Sequence, residues 1–228
     1  MFLPMSRMSC SWFRLFCGLL AASSATLRVQ AQAIEDHLQP AKGYYTSGQA
    51  EYYTKVPEVL FAGLHGTPLA RVVVLPSLLP EYVLSLDRQA NKVYLTYQST
   101  RKTSLWHEVL TKSGVTPTLD TKVVELQPEV ATALTHLVSF AVGQTRYPKP
   151  TDTITERGDG TTFTFLYKQP HVGWQAGEVW SPAVGTQMSR LVGVVEHLRQ
   201  LATGAPSAGA QAALLAESTK LSAELAQF

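Results

Sequence analysis

Six aromatic side chains carry the chemistry most worth following in this sequence. Tyr44, Tyr45, Tyr52, Tyr53, Trp174 and Trp180 fall in stretches rich in Gly, Ser, Thr and Pro rather than in strongly periodic segments. Exposed rings of this kind stack on sugars or anchor a protein partner, because each joins a large apolar surface to one polar atom. Turned inward, the same rings would close the open edges of a sheet. They are the candidate binding residues, and the exposure of each ring decides between the two roles.

Candidates for catalysis are weaker. Ser99-Thr100-Arg101-Lys102 fits the Ser-x-x-Lys pattern of penicillin-recognising acyl transferases, and Lys102-Thr103-Ser104 imitates their later Lys-Thr-Gly. That chemistry needs the Ser to open a helix and the second motif to come from a distant strand, which two motifs sharing Lys102 cannot supply. His107-Glu108 lacks a second His four residues on. The six His residues (His37, His65, His107, His136, His171, His197) never pair at a spacing of two, three or four. No metal site and no cofactor is therefore assigned. Nucleophile-elbow, P-loop and dinucleotide fingerprints do not occur in the sequence. Asp87, Asp152, Glu156 and Asp159 lie near expected hairpin turns, where acidic residues serve turn formation. A glycosidase pair would need two carboxylates held about 5 to 10 Å apart, so no catalytic residue is assigned from sequence. Arg157-Gly158-Asp159 spells a cell-adhesion tripeptide, yet Gly158-Asp159-Gly160 is also ordinary turn chemistry.

The elements that must position these residues follow from hydrophobic period. Ile34 to Pro68 shows no dominant period and reads as loop with short extended pieces. Arg71 to Leu75 reads as a strand, and Tyr82–Leu86 with Val93–Tyr97 reads as a hairpin around residues 87–91. Leu105–Leu110 and Lys122–Leu126 read as further strands. Pro128 opens a helix whose buried stripe is Val130, Ala133, Leu134, Leu137, Val138 and Ala141. A second hairpin is expected with Ile154 on one arm, Asp159-Gly160 at the turn and Phe163, Phe165 and Tyr167 on the other arm. After Trp180, Met188, Leu191, Val192, Val195, Leu198 and Leu201 mark a second helix. Residues 203–209 read as a linker, and residues 210–228 as an Ala-rich helix. This order predicts an α+β fold, an antiparallel sheet built from hairpins with two helices on one face, plus a C-terminal helix.

Ahead of this domain stands a segment with the three parts of a secretory signal. Arg7 and Arg14 give a positive start, which initiation at Met5 would keep and initiation at Met8 would reduce to Arg14. Leu15 to Ala25 is an apolar run of 11 residues, against the roughly 20 a membrane-spanning helix needs. Ala31-Gln32-Ala33 then places cleavage before Ile34, with Val29-Gln30-Ala31 as the second site. Arg14-Leu15-Phe16 before Cys17 does not suit lipid attachment. The expected division is 1–33 signal peptide, 34–203 single globular domain, and 204–228 linker and C-terminal helix. Cleavage would leave 195 of the 228 residues, with 16 basic against 17 acidic side chains and a net charge of −1. Cys10 and Cys17 would both leave, so the mature domain would be cysteine-free and held by packing alone. A near-neutral domain with scattered charge excludes nucleic acid as a partner, and no stable membrane span would remain after cleavage.

Several short strings in the domain bear a likeness. Leu75-Pro76-Ser77 with Pro80-Glu81-Tyr82, Thr103-Ser104-Leu105-Trp106, and Asp159-Gly160 leading to Trp180-Ser181-Pro182 are the pieces concerned. Through them the stretch from Leu75 to Leu201 resembles uncharacterised exported proteins of the Bacteroidota. The resemblance implies a periplasmic or secreted setting in a Gram-negative cell and carries over no activity or functional residue. The expectation from sequence is thus a non-catalytic binding module of the cell envelope, with a protein or glycan partner. The alternative is an envelope hydrolase acting on glycan or peptide through a carboxylate or His site.

Overall fold

The computed structural model describes residues 36–41, 50–101, 104–112, 114, 117–149 and 158–227. By contacts the chain divides into two compact units, Met1–Ile34 and Glu35–Phe228, and every described residue belongs to the second. Its centre is a seven-stranded antiparallel sheet in the order β1-β7-β6-β2-β3-β4-β5. The strands are β1 (Gln39–Pro40), β2 (Thr67–Pro76), β3 (Tyr82–Gln89), β4 (Lys92–Ser99), β5 (Asp120–Leu126), β6 (Thr161–Gln169) and β7 (Gly173–Trp180). The helices are α1 (Ala50–Leu60), α2 (Leu105–Thr111), α3 (Pro128–Gly143), α4 (Gln187–Thr203) and α5 (Ala208–Leu225).

Period-two alternation sends each strand's side chains to two different cores. Val72, Val74, Leu84, Leu86, Leu95 and Phe165 face α3, α4 and α5. The intervening Val73 and Val83 face α1 and α2, with Tyr52, Val56, Leu60 and Leu105. The α+β class, the antiparallel sheet and the two long helices on one face agree with the sequence expectation. Leu214, Leu221 and Leu225 of α5 enter the same core as α3 and α4. Side chains also bolt α5 at both ends. Gln211 Oε1 accepts from Gln127 N at 2.8 Å, its Nε2 donates to Glu125 O at 3.2 Å, and Gln144 Nε2 donates to Leu225 O.

Three expectations are corrected. The first concerns residues 34–68, read as loop, which contain the helix α1. Tyr52, Val56 and Leu60 recur at a spacing of four and are buried, a stripe too short to stand out against the surrounding aromatics. The second is Leu105–Leu110, read as a strand but folded as α2. Ser104 caps it, its Oγ accepting from Trp106 N, and the Glu81 side chain accepts from the N–H groups of Leu105 and Trp106. A carboxylate at a helix start satisfies donors that the helix cannot. The third is the hairpin expected around Asp159-Gly160. Strand β6 pairs with β2 on one side and β7 on the other, so no edge is left for an arm carrying Ile154. Ile154 itself lies outside the described residues. The real turn is Pro170–Val172, with His171 at φ +63°. Gly160 instead docks on the β2–β3 loop, its N–H donating to Ser77 Oγ and its carbonyl accepting from Ser77. A Cβ on Gly160 would lie 2.6 Å from Ser181 Oγ and 2.7 Å from the Trp180 ring, which is why glycine stands there.

The chain entering the domain is fixed at once. Asp36 Oδ1 and Oδ2 accept from Met188 N and Gln187 N at 2.8 and 2.6 Å, capping α4 beside its N-cap Thr186. Leu38 is fully buried, and its carbonyl accepts from Arg146 N.

Candidate functional site

The candidate aromatic residues do not share one surface. Tyr44 and Tyr45 lie outside the described residues. Tyr52 is buried, stacked edge-on against Trp106 at 5.2 Å and Tyr53 at 5.3 Å, and donates its hydroxyl to Glu81 Oε1 at 3.0 Å. Burial, then the Glu81 carboxylate, pushes its ionisation far above the ordinary phenol value. Tyr53 packs against that same core at its margin. Trp180 is half-buried at the opposite end of the sheet from the β6–β7 turn. Trp174 is the exception, with 39 % of its surface exposed.

Trp174 sits beside the β6–β7 turn, directly across from Lys168 in the ladder. The register places both on the sheet face that also carries Arg71, Ser85 and Asp87. Arg71 links two rings, its guanidinium carbon 4.6 Å from the Phe61 centroid and 5.3 Å from that of Trp174. Lys168 Nζ lies 5.5 Å from the Trp174 centroid. Cation–ring contacts of this kind contribute on the order of 0.5–1 kcal/mol each at exposed sites. They fix the indole while leaving part of it to solvent. Val172, at the tip of the same hairpin, is also exposed.

Beneath this surface lies a buried charge. Asp87 is fully buried, and Arg71 stands beside it with its terminal nitrogen 3.8 Å from Oδ1, too long for a hydrogen bond. Arg71 Nε donates instead to Ser85 Oγ at 3.0 Å. Burial pushes the Asp87 carboxyl up from its ordinary value, and Ser85 and Arg71 pull it back only in part. Burial likewise lowers the Arg71 guanidinium despite the nearby carboxylate. Desolvation thus outweighs attraction on both partners.

Glu81 is, like Asp87, a fully buried carboxylate. Oε1 accepts from Tyr52, Ser104 Oγ at 2.7 Å and Trp106 N at 3.1 Å, and Oε2 from Leu105 N at 2.7 Å with Thr100 Oγ1 at 3.5 Å. Its backbone carbonyl accepts from Ser99 Oγ and Thr100 N. Ser99, the first residue of the Ser-x-x-Lys pattern, therefore ends a strand and serves this knot; Lys102 lies outside the described residues.

The His residues stay dispersed. His37 Nδ1 meets Leu38 O at 2.9 Å, His197 Nδ1 pairs with Glu217 Oε2 at 2.7 Å, and His136 stacks on Phe140. Among the described residues no three His, Cys, Asp or Glu side chains gather as metal ligands. Nor is any described helix long and apolar enough to cross a membrane.

On the opposite sheet face, at the same end as Trp174, a cleft of about 720 Å³ opens between α3 and the β3–β4 hairpin tip. Thr132, Thr135, His136 and Ser139 line one wall, at the i, i+3, i+4, i+7 spacing that puts four residues on one helix face. In the sequence this polar stripe is hidden by the apolar stripe beside it, which carries the helix assignment. Arg71 and Lys168 carry no motif, and only their alternation with Val72 and with Tyr167 places them on the face away from α3.

Comparison with family models, curated proteins and solved structures returned no match.

Proposed function

We propose that this chain is an exported, non-catalytic binding module of a Gram-negative cell envelope, engaging an envelope protein or glycan through the sheet end that presents Trp174. The observation that carries the reading is the half-exposed indole held by Arg71 and Lys168, with Val172 exposed beside it. An aromatic ring immobilised before contact loses little entropy on binding, and Trp and Arg are the residues that most often dominate interface energy. Glu81 and Asp87 are sealed from solvent and serve the fold, so neither is placed to meet a substrate. Export is supported by the sequence alone: the positive start, the apolar run Leu15 to Ala25 and the small-x-small pattern ending at Ala33 all precede Asp36, which is committed to α4.

The test uses the protein as its host processes it. Intact mass should place the N-terminus at Ile34 or Gln32. The processed protein should co-sediment with isolated host envelopes, and Trp174→Ala with Lys168→Gln should weaken that binding by about tenfold or more. Protease treatment of the envelopes separates a protein partner from a glycan. Failure of the parent to sediment, or equal binding by the double variant, would overturn the proposal.

A further inference from the structure

We infer that the cleft between α3 and the β3–β4 hairpin tip is a second binding site, built for a small carboxylated saccharide. It lies on the sheet face away from Trp174, so this inference does not rest on the proposed Trp174 surface. At about 720 Å³ the cleft is in the size range of small-ligand sites, roughly 300–1,000 Å³.

Its walls differ in chemistry. The floor is apolar, formed in part by Val93 and Leu126. Along α3 stand Thr135, His136 and Ser139. The Thr135 hydroxyl already donates to Ala131 O at 2.8 Å, so toward the cleft it can only accept. Facing them are Asn91 and Arg88 from the hairpin, with Tyr167 rising from β6. An apolar floor with an aromatic ring suits the C–H face of a pyranose, and hydroxyl, imidazole and amide groups suit its hydroxyls.

Charge decides the class. Lys92 and Glu125 at the rim neutralise each other at 2.7 Å. Arg88 is exposed and has no ion-pair partner among the described residues. One unopposed guanidinium offers a planar fork that matches a single carboxylate. A lone free cation is too little for a nucleic-acid backbone, whose affinity grows with the number of phosphates neutralised. The hydroxyl-lined wall equally disfavours an acyl chain.

The probes are D-glucuronate, D-glucose and acetate, titrated into isotope-labelled protein as the host processes it and followed by NMR. Glucuronate should move the resonances of Arg88, His136 and Ser139 with a dissociation constant of about 1 mM or tighter. Glucose should bind at least about tenfold more weakly, and acetate should not move Ser139. Arg88→Gln, at an exposed position, should keep the fold and lose the preference for glucuronate over glucose. Ser139→Ala should weaken both sugars. The inference is overturned if glucuronate leaves these resonances unmoved, if both sugars bind the parent equally, or if acetate reproduces the shifts. Because the readout is at α3 and the hairpin tip, its failure is distinguishable from failure of envelope binding at Trp174.

Discussion

Replacing Glu81 should detach one layer of this fold from the sheet while leaving the other in place. Its carboxylate is fully buried and accepts four hydrogen bonds of 2.7 to 3.1 Å, from Tyr52, Ser104, Leu105 N and Trp106 N. In Glu81→Ala the Trp106 amide keeps Ser104 Oγ as an acceptor, but the Leu105 amide and the Tyr52 hydroxyl lose theirs. A buried donor left without a partner costs about 1–3 kcal/mol. Two such donors, with the lost Ser104 bond, give a destabilisation of about 4 kcal/mol, a large share of the roughly 5–15 kcal/mol a domain possesses. Glu81→Gln keeps one accepting oxygen and turns an NH₂ toward a donor, so about 2 kcal/mol is expected. Urea unfolding followed by Trp fluorescence reads both values. Hydrogen exchange should show α1 and α2 losing protection before α3, α4 and α5 do. Glu58→Ala, in an exposed Lys55 pair, should change stability by less than about 0.5 kcal/mol. A cost below about 1 kcal/mol for Glu81→Ala, or uniform loss of protection across all five helices, would mean that this carboxylate does not hold α1 and α2 on the sheet.

Gln211→Ala should cost about 1–3 kcal/mol by leaving Gln127 N and Glu125 O without their α5 partner, measured as a lower urea midpoint at unchanged slope. Gly66→Ala should destabilise by about 2 kcal/mol or more in thermal unfolding, because Gly66 has φ +97° and an added Cβ would lie 2.7 Å from Arg88 O. Asp87 has a raised native value, so it favours the folded state when protonated, below its ordinary 3.8, and that contribution is lost as pH rises through the native value. Asp87→Asn should therefore gain stability relative to the parent as pH increases from about 4 to 7, and a pH-independent difference in thermal midpoint would contradict the burial argument.

What could be read from the sequence depended on how much neighbours dictate each segment. Helices α3 and α4 were legible because their apolar stripes repeat over four turns, and β3 and β4 because alternation continues on both sides of a polar turn. Helix α2 was not. Its seven residues are too few to show a period, and its start depends on Glu81, more than twenty residues earlier in the chain. The same distance effect hid α1, whose buried face is defined by a Tyr52 bond to that carboxylate. Asp-Gly misled because its glycine is required by the Trp180 ring rather than by a turn. Within the candidate site, Trp174 was visible as an aromatic in an irregular stretch. Its cationic supports were not, since Arg71, Lys168 and Trp174 come from three strands whose pairing no local pattern reveals.

Whether Trp174 meets the envelope can be read at the indole itself by oxidative footprinting. Processed protein would be exposed to hydroxyl radicals with and without host envelopes, and oxidation at each tryptophan read by mass spectrometry. Trp174 should be protected when envelopes are present, while Trp106, packed against Tyr52, should be unchanged. Envelope-bound protein whose Trp174 oxidises as readily as in free solution would contradict that contact.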